Sequence, residues 1–191
     1  MTIALPIAPE ANELLNRDPM ALLLGMVLDQ QVTMEKAFSS PYELARRLGH
    51  EPTARELAEF DPEPLVELFS QRPALHRFPR AMAARAQEVC RVLVERYDGE
   101  PARLWLEATT GADLVKRIGQ LPGFGKQKSQ IFAALLGKRF GVQPAGWREA
   151  AGGYGEEGAR RSVADITDDE SLRKVREYKQ QMKAAAKAAK D

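Results

Sequence analysis

The chain has 191 residues, of which 44% are hydrophobic and 29% charged; this is a globular composition, which excludes disorder and leaves room for one domain or two small lobes sharing an interface. No apolar run reaches the ~18–20 residues that cross a bilayer, and a lone cysteine, Cys90, with two histidines, His50 and His76, excludes an internal disulfide, a four-cysteine zinc site and an iron–sulfur cluster. The net charge of +1 conceals an asymmetry, with 12 Lys and Arg against 18 Asp and Glu in residues 1–113 and 16 against 9 in residues 114–191, so the C-terminal part either meets a polyanion or carries a solvated basic tail.

The opening Met1-Thr2-Ile3-Ala4-Leu5-Pro6 lacks the basic region and cleavage site of a secretory signal, and a cytoplasmic location is expected. Asp18-Pro19 predicts a helix start, with Asp as N-cap and Pro at the first helical position, and Met20 to Leu28 follow as the longest apolar run. Pro41 to Leu48 reads as a short helix ended by Gly49. Thr53-Ala-Arg-Glu56 has the spacing of a capping box, with Leu57 and Phe60 behind it, and Asp61-Pro62 restarts a helix through Leu68 and Phe69. Arg80 to Tyr97 is predicted as a long amphipathic helix whose face carries Met82, Ala86, Val89, Val92 and Leu93, with Cys90 a small buried residue among them and Gly99 as its stop. Further helices run through Leu104–Leu106, through Leu114–Ile118, and from Lys126 to Arg139. After a Gly-rich stretch from Gly141 to Gly158, Thr167-Asp-Asp-Glu170 has the spacing of a second capping box and opens a last helix through Leu172, Val175, Tyr178 and Met182. Its end, Lys183 to Lys190, is expected to fray. Sustained period-two alternation and internal repeats are absent from the sequence, and the fold class is all-α.

Leu121-Pro122-Gly123-Phe124-Gly125 lies between two of these helices. Two glycines one residue apart permit a tight turn with positive φ, and the helix starting at Lys126 then points its free N–H groups out of that turn. Those groups, with Lys126 and Lys128 beside them, suit a phosphate, while Phe124 would point inward; the alternative is a plain helix–helix turn.

The segment Leu114 to Leu136 resembles the helix-hairpin-helix of the HhH-GPD base-excision DNA glycosylases, in its Leu-Pro-Gly-hydrophobic-Gly turn and the helix after it. Upstream, Met26-Val-Leu-Asp-Gln-Gln-Val-Thr33 resembles the apolar helix ending in Gln-Gln-(Ile/Val)-(Ser/Thr) of the 3-methyladenine and related glycosylases. The likeness spans about Asp18 to Gly141 and is closer to that type than to endonuclease III, whose cluster cysteines are missing. It implies a two-lobed helical fold: residues 19–137 as one lobe containing the hairpin (114–136), and residues 1–18 with 138–191 as the other. It further implies a monomer that binds double-stranded DNA and removes a damaged or mismatched base by hydrolysing its N-glycosidic bond. Gln30 and Gln31 would face the gap left by the flipped nucleotide, since amides both donate and accept. The hairpin would hold a phosphate, with a sodium or potassium ion on the backbone carbonyls of Gly119, Leu121 and Phe124, and no other cofactor is expected.

Two departures shape the chemistry. Where the family places its catalytic aspartate, ~20 residues after the second hairpin glycine, Phe140 to Trp147 contain no carboxylate, and where the bifunctional branch has its Schiff-base lysine this chain has Gln127. A monofunctional enzyme is therefore expected, with Asp165, which follows Ser162-Val-Ala and precedes a helix, or Asp29, beside Gln30, as the catalytic carboxylate; Glu149, Glu156 and Glu157 are further candidates. Trp147 and Tyr154 on the Gly-rich loop either stack on a base or pack the loop down, and Arg160 and Arg161 either meet phosphates or form a solvated face. A catalytically silent DNA-binding protein, or an adaptor docking DNA for a partner enzyme, are the alternatives.

Overall fold

The computed structural model describes residues 2–189, and among them the regular structure is helical throughout, with an isolated bridge between Thr110 and Ala145 in place of any strand. The first helix, α1 (Pro9–Arg17), has no counterpart among the predicted elements; it starts on Pro9 and buries Ala11, Leu14 and Leu15 along one face. Its Asn12 and Asn16 side chains accept the N–H groups of Leu5 and Ile3 at 2.9 and 2.8 Å, which ties the extended N-terminal residues down. Helix α2 (Pro19–Leu28) begins where predicted, with the Asp18 carboxylate accepting the Met20 N–H at 2.9 Å. Met20 to Leu28 are all buried, so α2 is apolar all round and forms the centre of its helix group.

Helix α3 (Met34–Leu48) is longer than the predicted Pro41–Leu48. Thr33 caps it, and Ala37 and Phe38, both fully buried, extend its apolar face upstream of Pro41, whose missing N–H the packing tolerates. Gly25 of α2 makes room for the Phe38 ring, since a Cβ there would lie 2.7 Å from it. Both α2 and α3 receive α1, so this helix packs with that group.

Helices α4 (Ala54–Glu59) and α5 (Pro62–Ser70) pack on the long α6 (Pro79–Tyr97). Thr53 caps α4, but Glu56 turns away to His50 at 2.8 Å and leaves that capping box open. Next come α7 (Pro101–Leu106), α8 (Gly111–Gly119), α9 (Lys126–Arg139), the single turn α10 (Trp147–Ala150) and α11 (Asp169–Ala188). The capping box of α11 is formed by Asp168 and Ser171 in place of Thr167 and Glu170; Glu170 instead pairs with Lys174 on the next turn. Only Ser171, Leu172 and Val175 of α11 are buried, and residues 179–189 are exposed without interruption. Lys190, the last lysine of the expected basic run, lies outside the described residues.

Candidate functional site

The hairpin is built by α8, the turn at residues 120–125, and α9. Within the turn the Phe124 N–H donates to Leu121 O at 3.1 Å, and Gly123 takes φ +82°, a conformation that favours glycine. Gly125 differs from expectation: its φ is −78°, which any residue adopts, and a Cβ there would meet open space. What glycine leaves at 125 is an unobstructed approach to the first turn of α9, which no side chain caps. Lys126 and Gln127 stand exposed beside it. The Phe124 ring is buried and lies 6.2 Å from Phe132, so this residue can offer a ligand its backbone only.

Opposite the hairpin, α2 ends in a sharp turn. Gln30 N–H donates to Leu28 O at 2.8 Å, and Gln31 sits at φ +55°. A non-glycine residue in that region costs about 1–2 kcal/mol and persists where packing imposes it. Gln31 is exposed, while the Gln30 amide folds back on Val27 O and the sulfur of Met82, both at 3.3 Å. Beneath the turn, buried His76 holds Gln30 O through Nε2 at 2.9 Å.

Lys128 joins the two parts. From the first turn of α9 its ammonium donates to Val27 O at 3.0 Å, at the negative end of α2, and lies 5.1 Å over the Phe124 ring. Burial pushes its pKa down to about 8, against the opposing pull of Asp29 and with help from Arg85. Asp29 is half-buried, and burial raises its carboxyl above the usual range; Lys179 of α11 and Lys128 pull the other way by charge alone. The carboxylate thus faces two cations without being consumed by a hydrogen bond to either.

Asp165 is placed differently. Its side chain is 2% exposed; Oδ1 accepts the Lys138 ammonium at 2.6 Å, and Oδ2 accepts the N–H groups of Arg161 and Ser162 at 2.8 and 3.1 Å. The carboxylate closes a capping box on the 3₁₀ turn Val163–Asp165 and fastens it to the far end of α9. Lys138 is twelve helical residues from Lys126, about 18 Å along the axis. The geometry does not favour the expectation that Asp165 serves as the reacting carboxylate: both its oxygens have partners, and it lies at the far end of α9 from the hairpin. A cleft of about 470 Å³ opens beside it, lined by Lys138, Arg139, Arg160, Glu170 and Lys174 among others, but Lys138–Asp165 and Lys174–Glu170 pair across its wall.

The Gly-rich loop divides its aromatics. Trp147 is buried against Gly137, where a Cβ would come within 2.4 Å of its ring, and Arg148 lies 4.5 Å over it. It anchors the loop, which is the packing alternative of the two that the sequence left open for this residue, and not the stacking one. Tyr154 is half-buried, and its hydroxyl accepts the Gln127 amide at 2.8 Å, at the first turn of α9. Arg161 pairs with Glu156 at 3.1 Å, whereas exposed Arg160 contacts only the carbonyls of Gly158 and Ala159. Glu149, Glu156 and Glu157 are exposed.

The structure therefore brings together Asp29, Gln30, Gln31, Lys128, Gln127 and Tyr154, and sets Asp165 and Trp147 apart. Sequence reasoning missed His76 and the part played by Arg85, whose guanidinium lies against Gly123. His76 meets Gln30 across 46 residues of chain, and no local pattern announces such a contact.

In comparisons with known proteins, the family model of the HhH-GPD superfamily base excision DNA repair proteins matches residues 24–190. No curated protein and no solved structure matches the chain.

Proposed function

Because the chain belongs to the HhH-GPD superfamily of base excision DNA repair proteins, we propose that it is a monofunctional DNA glycosylase, acting as a monomer on double-stranded DNA, with Asp29 as its catalytic carboxylate. The observation that carries the reading is the Lys128 bridge, which holds the uncapped start of α9 against the Asp29–Gln31 turn. A phosphate on the hairpin N–H groups would thereby set a neighbouring nucleotide beside Asp29. The Gln-Gln pattern of that turn favours the 3-methyladenine type. Arg160, Lys126 and the exposed end of α11 supply cations along the backbone. The neutral carbonyls of Gly119, Leu121 and Phe124 border the hairpin; that of Leu121 takes one N–H and keeps a second lone pair, a donor set that suits sodium or potassium. Such an ion would add positive charge under the phosphate.

As the glycosidic bond lengthens, its electron pair leaves with the base and the sugar gains positive charge at C1′. An ionised Asp29 offsets that charge and takes a proton from the water that attacks C1′. Burial raises its pKa toward the range in which a carboxylate accepts a proton efficiently, while Lys128 and Lys179 favour the ionised form. Gln127 cannot form a Schiff base, so strand cleavage is not part of the reaction.

Single-turnover assays on duplexes bearing alkylated, deaminated or mismatched bases test this. Base release that leaves alkali-labile but uncut strands is expected. Borohydride trapping of a covalent adduct at the rate of base release would overturn the monofunctional assignment, and tight duplex binding with no release across the panel would favour a silent DNA-binding protein.

A further inference from the structure

The cleft beside Asp165 gathers cations, two of which, Arg139 and Arg148, have no part in the proposed reaction. It lies between the far end of α9, the α10 turn, the loop through Ala159 and the start of α11. Three arginines line it, one each from the first three of these: Arg139, Arg148 and Arg160. Backbone carbonyls fix every guanidinium. Arg139 Nε donates to Ala164 O at 3.0 Å, Arg148 Nη1 to Gly155 O at 2.8 Å, and Arg160 Nη1 to Gly158 O and Ala159 O at 3.0 and 3.1 Å. Among the described residues none of the three pairs with a carboxylate, and each keeps two nitrogens outside these bonds.

Most of the acids around the cleft are already engaged. Asp165 is held by Lys138 and two backbone N–H groups, and Glu170 pairs with Lys174. Asp168 accepts the Ser171 N–H at 2.7 Å and the Thr167 hydroxyl at 3.1 Å. Glu157 is the remaining acid of the lining, and it is exposed. Three free guanidinium groups therefore share a concave site with one free carboxylate, and their mutual repulsion is relieved when an anion enters. Burial also pulls the Arg139 pKa below its ordinary value, against the through-space pull of Asp165. A partly desolvated cation gains most from an anion brought to it.

Guanidinium forks match phosphate oxygens two at a time, and a phosphate monoester carries nearly two charges at neutral pH where a backbone phosphodiester carries one. The cleft volume, about 470 Å³, lies within the roughly 300–1,000 Å³ of small-molecule sites. A duplex suits the place less well. Glu157, Asp168 and Glu170 are exposed in the lining and would stand against the neighbouring phosphates of a continuous strand, whereas a compact ligand reaches the arginines alone. We propose that this cleft binds a small phosphate monoester of nucleotide size, apart from the DNA-binding hairpin about 18 Å away along α9. Arg139 and Arg148 hold the phosphate, and Arg160, on which the backbone contacts proposed above also draw, adds a third fork. The site does not depend on whether the protein releases a base.

Calorimetric titration of the full-length protein with adenosine monophosphate tests this. Saturable one-to-one binding is expected, with inorganic phosphate competing and adenosine binding at least about tenfold more weakly. Arg139→Gln and Arg148→Gln should each weaken adenosine monophosphate about tenfold or more, because each removes charge-assisted hydrogen bonds. Both should keep their circular dichroism and hold duplex affinity within about twofold. Should either fail to fold for want of its carbonyl contact, Glu157→Gln probes the same field from an exposed position. It removes the one free acid and should tighten adenosine monophosphate about two- to threefold. Saturating duplex should leave that affinity within about twofold. Absence of saturable binding, equal binding of adenosine, or no response to Glu157→Gln and to the folded arginine variants would overturn the proposal. Displacement of adenosine monophosphate by duplex would overturn it too, and would assign the arginines to the DNA backbone.

Discussion

Near each end of helix α9 one lysine stands by an aspartate, Lys128 by Asp29 and Lys138 by Asp165. At the far end Lys138 and Asp165 form a direct 2.6 Å pair, buried and completed by two backbone N–H groups. At the near end Lys128 gives its hydrogen bond to Val27 O and leaves Asp29 to be influenced through space. The two lysines are ten helical residues apart, about 15 Å, yet the carboxylates beside them are in opposite conditions. A carboxylate with both oxygens engaged is a fastening. One that is half-buried and unengaged raises the energy of the folded state, and such groups concentrate where chemistry is done.

The largest effect expected from breaking this contrast is at the fastening. Asp165→Asn leaves the Lys138 ammonium buried without its counter-charge, and the loss of one partner of a buried pair costs about 3–5 kcal/mol. For a chain of this size that lowers the melting temperature by roughly 10 °C. Thermal denaturation reads it directly, and base release per folded molecule should be kept below the transition. A stable Asp165→Asn protein that binds DNA and releases no base would invert the assignment.

Asp29→Asn is the mirror experiment. Removing a carboxylate that offsets charge at C1′ should slow base release on the order of a hundredfold, about 2.7 kcal/mol of barrier. Duplex affinity should stay within twofold. In the wild type the ionised form is the active one, and burial raises its pKa. Activity should therefore fall on acidification at a pH above the ordinary carboxylate range, and the single-turnover rate against pH should lose that acid limb in Asp29→Asn. The linkage to stability has the same origin: a raised folded-state pKa gives a stabilising contribution at low pH, which is lost as pH rises through the folded value.

Much of the architecture was legible in the chain. The Asp18-Pro19 start, the long α6 and the hairpin followed from caps, periodicity and two glycines, because those signals are local. The assignment between Asp165 and Asp29 was not legible. Ser162-Val-Ala-Asp165 reads the same whether its carboxylate faces a ligand or Lys138, 27 residues upstream, and only the fold decides. The choice between stacking and packing for Trp147 was open for a similar reason: glycines around an aromatic suit either, and Gly137 on α9 supplies the slot that takes the ring. The extension of α3 past Pro41 was hidden because burial of Phe38 outweighs the local signal of a proline.

The hairpin sharpens the comparison from the ligand side, since only the near end of α9 should respond to DNA. Gly125→Asp puts a carboxylate over the uncapped N–H groups without a clash in the free protein. Duplex affinity at low salt should drop tenfold or more, about 1.4 kcal/mol, with helical circular dichroism unchanged. Unchanged affinity in the folded variant would remove the hairpin from the interface.

The smallest effect concerns α11, whose Lys179 is among the cations that favour ionised Asp29. After Glu177 the described helix carries no acid, and Lys179, Lys183 and Lys187 recur every fourth residue on an exposed face. Each lysine that neutralises a phosphate releases about 0.9 of a counterion, so its removal flattens log K against log salt by about that much. Deleting residues 183–191 removes Lys183, Lys187 and Lys190 and leaves Lys179 with buried Leu172 and Val175 in place. The slope should fall by about 2–3, with the choice of lesion and the single-turnover rate at saturation unchanged. A slope that stays the same would make the end of α11 a solvated helix terminus, and the affinity would then have to come from the hairpin and the loop carrying Arg160. A change in rate with no change in slope would show instead that the arm acts on the reaction and not on the backbone phosphates.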